Sequence, residues 1–168
     1  MTDPQDPFWV RGGILLVDFT RQLVVLAIDA SYTTLIDFGG GRESEDRDIV
    51  ATAQREADEE SIGLINLDRD TIQDGLMLTS DQGTVLFLVP ADIKDPPALR
   101  EEFLRRRQRE ARPECLENSD IAFLSFDDFL SLCHRPILPT VIYPLIQELL
   151  CDSLEDIASF MVSDPFES

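Results

Sequence analysis

The chain has 168 residues, 43% of them hydrophobic and 28% charged, with a formal net charge of −19. That length and balance predict one globular domain, able to bury a core without disulfide or metal staples. A uniform surface of that charge repels DNA, RNA and anionic membranes, whose binding rests on Lys and Arg neutralising phosphates, so a phosphate-bearing ligand would need a cation beside it. No apolar run reaches the ~18 residues that span a bilayer. Residues 12–28 come nearest and are broken by Asp18, Arg21 and Gln22, so no membrane partner is expected. Cys115, Cys133 and Cys151 are odd in number and form no CxxC pair, and no signal-peptide pattern opens the chain. They read as reduced thiols of a cytoplasmic protein rather than as a zinc site. Residues 1–7 and 163–168 read as flexible ends of a domain spanning 8–162.

In chain order, residues 9–19 are rich in Val, Ile, Leu and aromatics and read as a strand, with a bulge at Gly12-Gly13. A second strand over 23–28 follows a short polar link and pairs with the first as a hairpin. Residues 35–38 form a brief strand that stops at Gly39-Gly40-Gly41, a strong break. Ile49, Val50, Ala53 and Ala57 then recur at helical spacing and predict a helix over 46–61, with Gly63 as its stop. Strands are expected over 71–79 and 84–90, and a charged helix over 96–112 that opens on Pro96-Pro97 and ends at Pro113. A late strand over 121–126, a short helix over 127–133 and one or two amphipathic helices over 139–162 complete the pattern. Strands and helices mix without regular βαβ alternation. The fold class is therefore α/β of the α+β kind, a mixed-sheet sandwich rather than a doubly wound sheet.

The informative stretch runs from Gly39 to Gly63. Its helix carries Arg55-Glu56-Ala57-Asp58-Glu59-Glu60. Residues three and four apart share a helical face, so Glu56, Glu59 and Glu60 are expected to project together, away from the apolar stripe. Three like charges near a helix C-terminus repel one another and oppose the dipole. Two arrangements tolerate that: a solvated acidic face paired through Arg55 and Glu59, or a ring of ligands around a hard cation. The glycines tilt the balance to the second, because bare backbone can run close to the carboxylates and lend a carbonyl oxygen.

The same stretch resembles the Nudix box, which runs glycine, five residues, Glu, seven residues, then Arg-Glu-aliphatic-any-Glu-Glu-any-Gly. Gly41 stands at the first glycine, Arg55 at the box arginine, and Glu56, Glu59 and Glu60 at its glutamates. Two positions depart. Arg47 stands where the box has its first Glu, flanked by Asp46 and Asp48, and Ile62 stands at the final Gly, with Gly63 one place later. In the family that first Glu braces the loop through charge contacts, so its loss bears on loop geometry; the late glycine suggests a helix end shifted by one residue. Outside the box, the hairpin of residues 11–26 and the strand and helix of 121–129 are similar to the elements around it.

The resemblance implies a Nudix-like α/β/α sandwich and hydrolysis of a nucleoside diphosphate linked to another group, with Mg²⁺ or Mn²⁺ as cofactor. It implies Glu59 and Glu60 as metal ligands, Glu56 as ligand or base, the Gly40 carbonyl in the metal shell, and Arg55 as the residue that orients the glutamates. Glu114 or Glu117, ahead of the late strand, could instead supply the base. Arg11 could reach a phosphate or be a plain surface residue, and with Gly40 and Gly41 it is a candidate for cofactor binding. An RNA cap, a dinucleoside polyphosphate, a nucleotide sugar and a nucleoside triphosphate all remain open as substrate. Segment 100–112, with Arg100, Arg105, Arg106, Arg107, Arg109 and Arg112, could hold RNA or a polyphosphate, or be balanced by Glu101, Glu102 and Glu110. His134, the only histidine, reads as a surface residue. Two other readings stand beside the enzyme: a non-catalytic Nudix-fold binding module, and an acidic interaction protein using its C-terminal helix.

Overall fold

The structure, a computed structural model, describes residues 3–134 and 141–163. Strand β1 (Arg11–Asp18) lies at the centre of a seven-stranded mixed sheet. Strand β6 (Thr84–Pro90) runs parallel to it along one edge from Arg11 to Val17, and β5 (Leu76–Thr79) pairs outside β6. The other edge of β1 is shared. Strand β2 (Leu23–Asp29) takes its last residues, Leu16 to Asp18, and β4 (Phe38–Gly41) takes Arg11 to Ile14. Strand β2 is likewise bordered by β7 (Asn118–Ser125) along one edge and by β3 (Leu35–Ile36) near its end. Thus β1 and β2 pair at one end and splay at the other, and the segment from Leu35 to Gly41 fills the fork. Asp37 sits between the two short strands, in the fork itself.

Period-two alternation assigns successive residues to opposite faces. Ile14 and Leu16, Val25 and Ala27, and Val85, Phe87 and Val89 face one core. Leu15 and Val17, Val24 and Leu26, and Leu86 and Leu88 face the other. Helices α1 (Ile49–Glu60), α2 (Arg69–Gln73) and α3 (Pro96–Arg109) cover the first face through Ile49, Val50, Ala53, Ala57, Ile72 and Phe103. Helices α4 (Phe126–Leu132), α5 (Pro144–Asp152) and α6 (Leu154–Val162) cover the second through Phe129, Ile146, Leu149 and Ile157. The expected α/β/α sandwich with a mixed sheet is what the chain forms. Among the described residues no helix is long and apolar enough to cross a membrane.

Several local expectations change. Gly12 and Gly13 make no bulge but pair regularly on both sides. The three glycines do not break the strand: they continue β4 beside β1. Segment 71–79 opens with the last three residues of a helix, because Asp68 accepts the Thr71 N–H and caps α2 before β5 begins. The late strand starts at Asn118, three residues early, and residues 139–140 of the expected C-terminal helical segment lie outside the described residues.

The end of α1 is also not where its glycine suggested. Ser61 is the C-cap, the Ile62 N–H reaches the Glu59 carbonyl at 3.1 Å, and the Gly63 N–H reaches that of Asp58 at 2.7 Å. This is a Schellman closure with Ile62 in the left-handed position, φ +56°, followed by Gly63 at +81°. The helix is not shifted. A β-branched residue stands where glycine is favoured, at a cost of roughly 1–2 kcal/mol, and burial of its side chain in the first core offsets that cost.

Candidate active site

Helix α1 docks its apolar stripe on β1 and β4, which turns its C-terminal carboxylates toward the splayed fork. Asp48 caps its N-terminus, accepting the Ala51 N–H at 2.9 Å, and is itself held by Arg69. At the other end Glu60 is almost fully buried, with 4% of its surface exposed. Its carboxylate accepts the Gly39 N–H at 2.8 Å and the Asn118 side-chain amide at 3.3 Å. Glu56, one turn earlier, lies directly over Gly40, where a Cβ would come within 2.6 Å of its carboxyl carbon. Bare backbone is required there for β4 and α1 to approach.

Burial lifts the Glu60 carboxyl well above the usual carboxylate range, Asp37 and Glu56 add to the rise, and Glu117 shares a hydrogen bond with it, while the Gly39 N–H pulls the other way. Burial also raises Glu56, helped by Glu59 and Glu117 and opposed by Arg55. The glutamates at 56, 60 and 117 therefore form one mutually repelling group. Glu114 is exposed and is not part of it. His134 is exposed as well.

Arg55 occupies the other side of the group. Its guanidinium donates to Glu56 at 2.9 Å, Glu59 at 3.3 Å and the Gly41 carbonyl at 2.9 Å. It also forks onto Asp46, at 3.0 Å through Nε and 2.9 Å through Nη2. Burial pushes the Asp46 carboxyl up, but Arg55, the Glu43 N–H and the Thr52 hydroxyl outweigh it and hold it below its ordinary value. Glu59 thus faces Arg55 rather than the pocket of Glu60.

Arg11 is mostly buried and forks onto Asp37, at 2.9 Å and 2.7 Å. Asp37 is completely buried. Burial works against the Arg11 charge, but Asp37 outweighs it and the guanidinium is held more firmly protonated than usual, with Glu60 and Tyr143 contributing. Arg11 thus serves an internal carboxylate first.

The structure gathers Gly40, Glu56, Glu60 and Glu117, and links Arg55, Glu59 and Gly41 beside them. Sequence reasoning did not single out Asp37, Asn118 or, as a partner of Arg55, Asp46. An aspartate between Ile36 and Phe38 in an apolar run was the available signal for Asp37. Asn118 carried none.

For a divalent cation the donor set fits in kind: hard, crowded carboxylate oxygens beside a glycine strand, with Glu56 and Glu60 raised in pKa. Among the described residues no three such groups are drawn together as a finished ligand cage. Glu56 and Glu59 are turned onto Arg55, and Glu60 is hydrogen-bonded to the Gly39 N–H, the Asn118 amide and Glu117.

The sequence matches no family profile and no curated protein. Solved structures do match in shape. An Ap4A hydrolase from C. elegans, in a binary complex, superposes with a TM-score of 0.53 at 12% identity, over 89% of this chain and 99% of that one. A bifunctional NMN adenylyltransferase/ADP ribose pyrophosphatase from Francisella tularensis, complexed with AMP and a Mn ion, gives 0.53 at 17% identity, over 92% of this chain. The chain spans 43% of that larger protein. Fold, box spacing and carboxylate group together define a protein of the Nudix architecture. The chain has the Nudix fold.

Proposed function

We propose that the chain is a metal-dependent pyrophosphohydrolase that cleaves a nucleoside diphosphate linked to another moiety. The observation that supports this is the group of Glu56, Glu60 and Glu117 against the Gly39-Gly40 strand, with Glu60 almost fully buried. A buried carboxylate crowded by others is costly unless a cation joins it.

Glu56, Glu59 and Glu60, with the Gly40 carbonyl, would hold Mg²⁺ or Mn²⁺. Bound there, the metal lowers the pKa of water and neutralises phosphate charge. Glu117 is the exposed member of the group and adjoins Glu60, which suits it to accept the proton of the attacking water. Arg55 keeps Glu56 and Glu59 oriented and ties them to the Gly41 carbonyl. Arg11 fixes Asp37 and places a positive charge beside Glu60, and its unused N–H groups are available to a phosphate.

Among substrates, the observations favour a small nucleotide over RNA. In helix α3 and the residues after it, Arg100 is forked onto Asp120, Arg105 and Arg106 pair with Glu102, Arg107 binds the Asn118 carbonyl, and Arg112 pairs with Glu110. Both structural relatives named above are hydrolases of nucleotide-type compounds by their own description, which supports the same substrate class here. The unpaired Cys115, Cys133 and Cys151 suit a reducing cytoplasm.

The second reading is a non-catalytic binding module, favoured by the grip of Arg55 on Glu56 and Glu59. Formation of a nucleoside monophosphate with Mg²⁺ or Mn²⁺, followed chromatographically across a panel of nucleoside diphosphate derivatives, separates the two. Wild type should convert at least one compound to the monophosphate and the phosphorylated second moiety, and Glu59→Gln should not. Equal, negligible conversion by both proteins favours the binder.

A further inference from the structure

The loop between β4 and α1 has Arg47 where a Nudix box places a glutamate, yet it is not unbraced. Asp46, only 9% exposed, collects four donors. The Arg55 Nε and Nη2 groups reach it at 3.0 and 2.9 Å, the Thr52 hydroxyl at 3.0 Å and the Glu43 N–H at 2.9 Å. It therefore joins the loop backbone, the first turns of α1 and the arginine in one cluster. Arg55 passes that constraint on, since the same guanidinium holds Gly41, Glu56 and Glu59. Arg47 itself is exposed; its backbone carbonyl accepts from Arg42, and its charge acts on Asp48 rather than on Arg55 or the glutamates.

We propose that Asp46 is the positioning residue for Arg55, and through it for the Glu56 and Glu59 carboxylates. The brace has moved one residue toward the N-terminus, and Arg47 leaves no vacancy. A carboxylate is needed because two N–H groups of one guanidinium are received in a fork, which an amide cannot match in charge or in acceptor count. The role in metal binding rests on the hydrolase reading above; the grip on Arg55 does not.

The test uses full-length wild type, Asp46→Asn, Asp46→Glu and Arg47→Glu. Two readouts are taken: Mn²⁺ affinity by electron paramagnetic resonance, and the Arg55 Nε–H resonance in ¹⁵N spectra, identified by its loss in Arg55→Lys. Asp46→Asn should free the Arg55 resonance, which then exchanges quickly with water, and weaken Mn²⁺ binding about tenfold or more. Asp46→Glu, which keeps the charge, should recover much of both. Arg47→Glu should leave both unchanged, because the arginine already has its partner. A protected Arg55 resonance in Asp46→Asn overturns the proposal, and so does a large gain in Mn²⁺ affinity in Arg47→Glu. If wild type binds no Mn²⁺, the hydrolase reading fails, and the Arg55 resonance alone still decides whether Asp46 holds it.

Discussion

Gly40 and Glu56 meet with no space between them: a Cβ on Gly40 would lie 2.6 Å from the Glu56 carboxyl carbon. The obstructing atoms are the tip of a flexible side chain, so Gly40→Ala should displace the carboxylate and leave the fold intact. Mn²⁺ affinity and hydrolysis should drop about tenfold or more while the melting curve barely moves. At the neighbouring Gly39 a Cβ meets the buried Asp37 carboxylate and also backbone, with the Gly13 Cα at 2.7 Å and the Gly12 carbonyl oxygen at 2.8 Å. Gly39→Ala should therefore lower the melting temperature. If Gly40→Ala binds Mn²⁺ as wild type does, Glu56 is not a ligand.

The two halves of this contact were not equally legible in the sequence. Helical spacing placed Glu56, Glu59 and Glu60 near one another, and the box interval placed Gly40 beside them. What spacing could not show was direction. Glu59 and Glu56 lie within reach of one arginine, whereas Glu60 turns under the sheet, where Gly39 and Asn118 receive it. Those partners are 21 and 58 residues away in the chain, set by strand register rather than local pattern. The alternating strands β1, β2 and β6 and the apolar stripe of α1 were readable because burial imposes their periods. The strand character of 35–38 was readable, but the continuation of β4 through Gly39-Gly41, where glycines signal a break, is dictated by the fork between β1 and β2, a tertiary feature.

Ile62 tests a different kind of local conflict. Its φ of +56° suits glycine, while its side chain is buried in the first core. Ile62→Ala should lose about 2–5 kcal/mol, as a large-to-small core change does. Ile62→Gly removes the same side chain but relieves the left-handed strain, so it should be more stable than Ile62→Ala by about 1 kcal/mol. Glycine normally ranks below alanine, so urea titration of the pair gives an unambiguous sign. Alanine ranking above glycine would mean that Ile62 is not strained in solution.

Asp37 and Arg11 form an ion pair with one fully buried member, joined at 2.7 Å. Removing one partner of such a pair leaves the other charge stranded. Asp37→Ala should cost about 3–5 kcal/mol in chemical denaturation. The double variant Asp37→Ala/Arg11→Met should recover part of that loss, because an apolar pair replaces an unpaired charge. A double variant less stable than Asp37→Ala would show that Arg11 stabilises the fold through some other partner, with Glu60 the nearest alternative.

Glu60 gives the pH dependence its sign. Burial, then Asp37, raise its carboxyl above the ordinary value of 4.5, so the folded state retains a proton that the unfolded chain releases. Stability from this group is complete below that ordinary value and is lost as pH rises through the raised folded one. The metal-free protein should therefore weaken from mildly acidic to neutral pH, and Glu60→Gln should flatten that slope. Glu56, shifted in the same direction, keeps part of it. At neutral pH in chelator, Glu60→Gln should melt about 2–4 °C higher than wild type, corresponding to about 1 kcal/mol. Adding Mg²⁺ should reverse the order, since only wild type has the charge to bind it. A Glu60→Gln protein that melts below wild type in chelator would mean that the buried carboxylate is structural, held by Gly39 and Asn118, rather than kept at a cost for a cation.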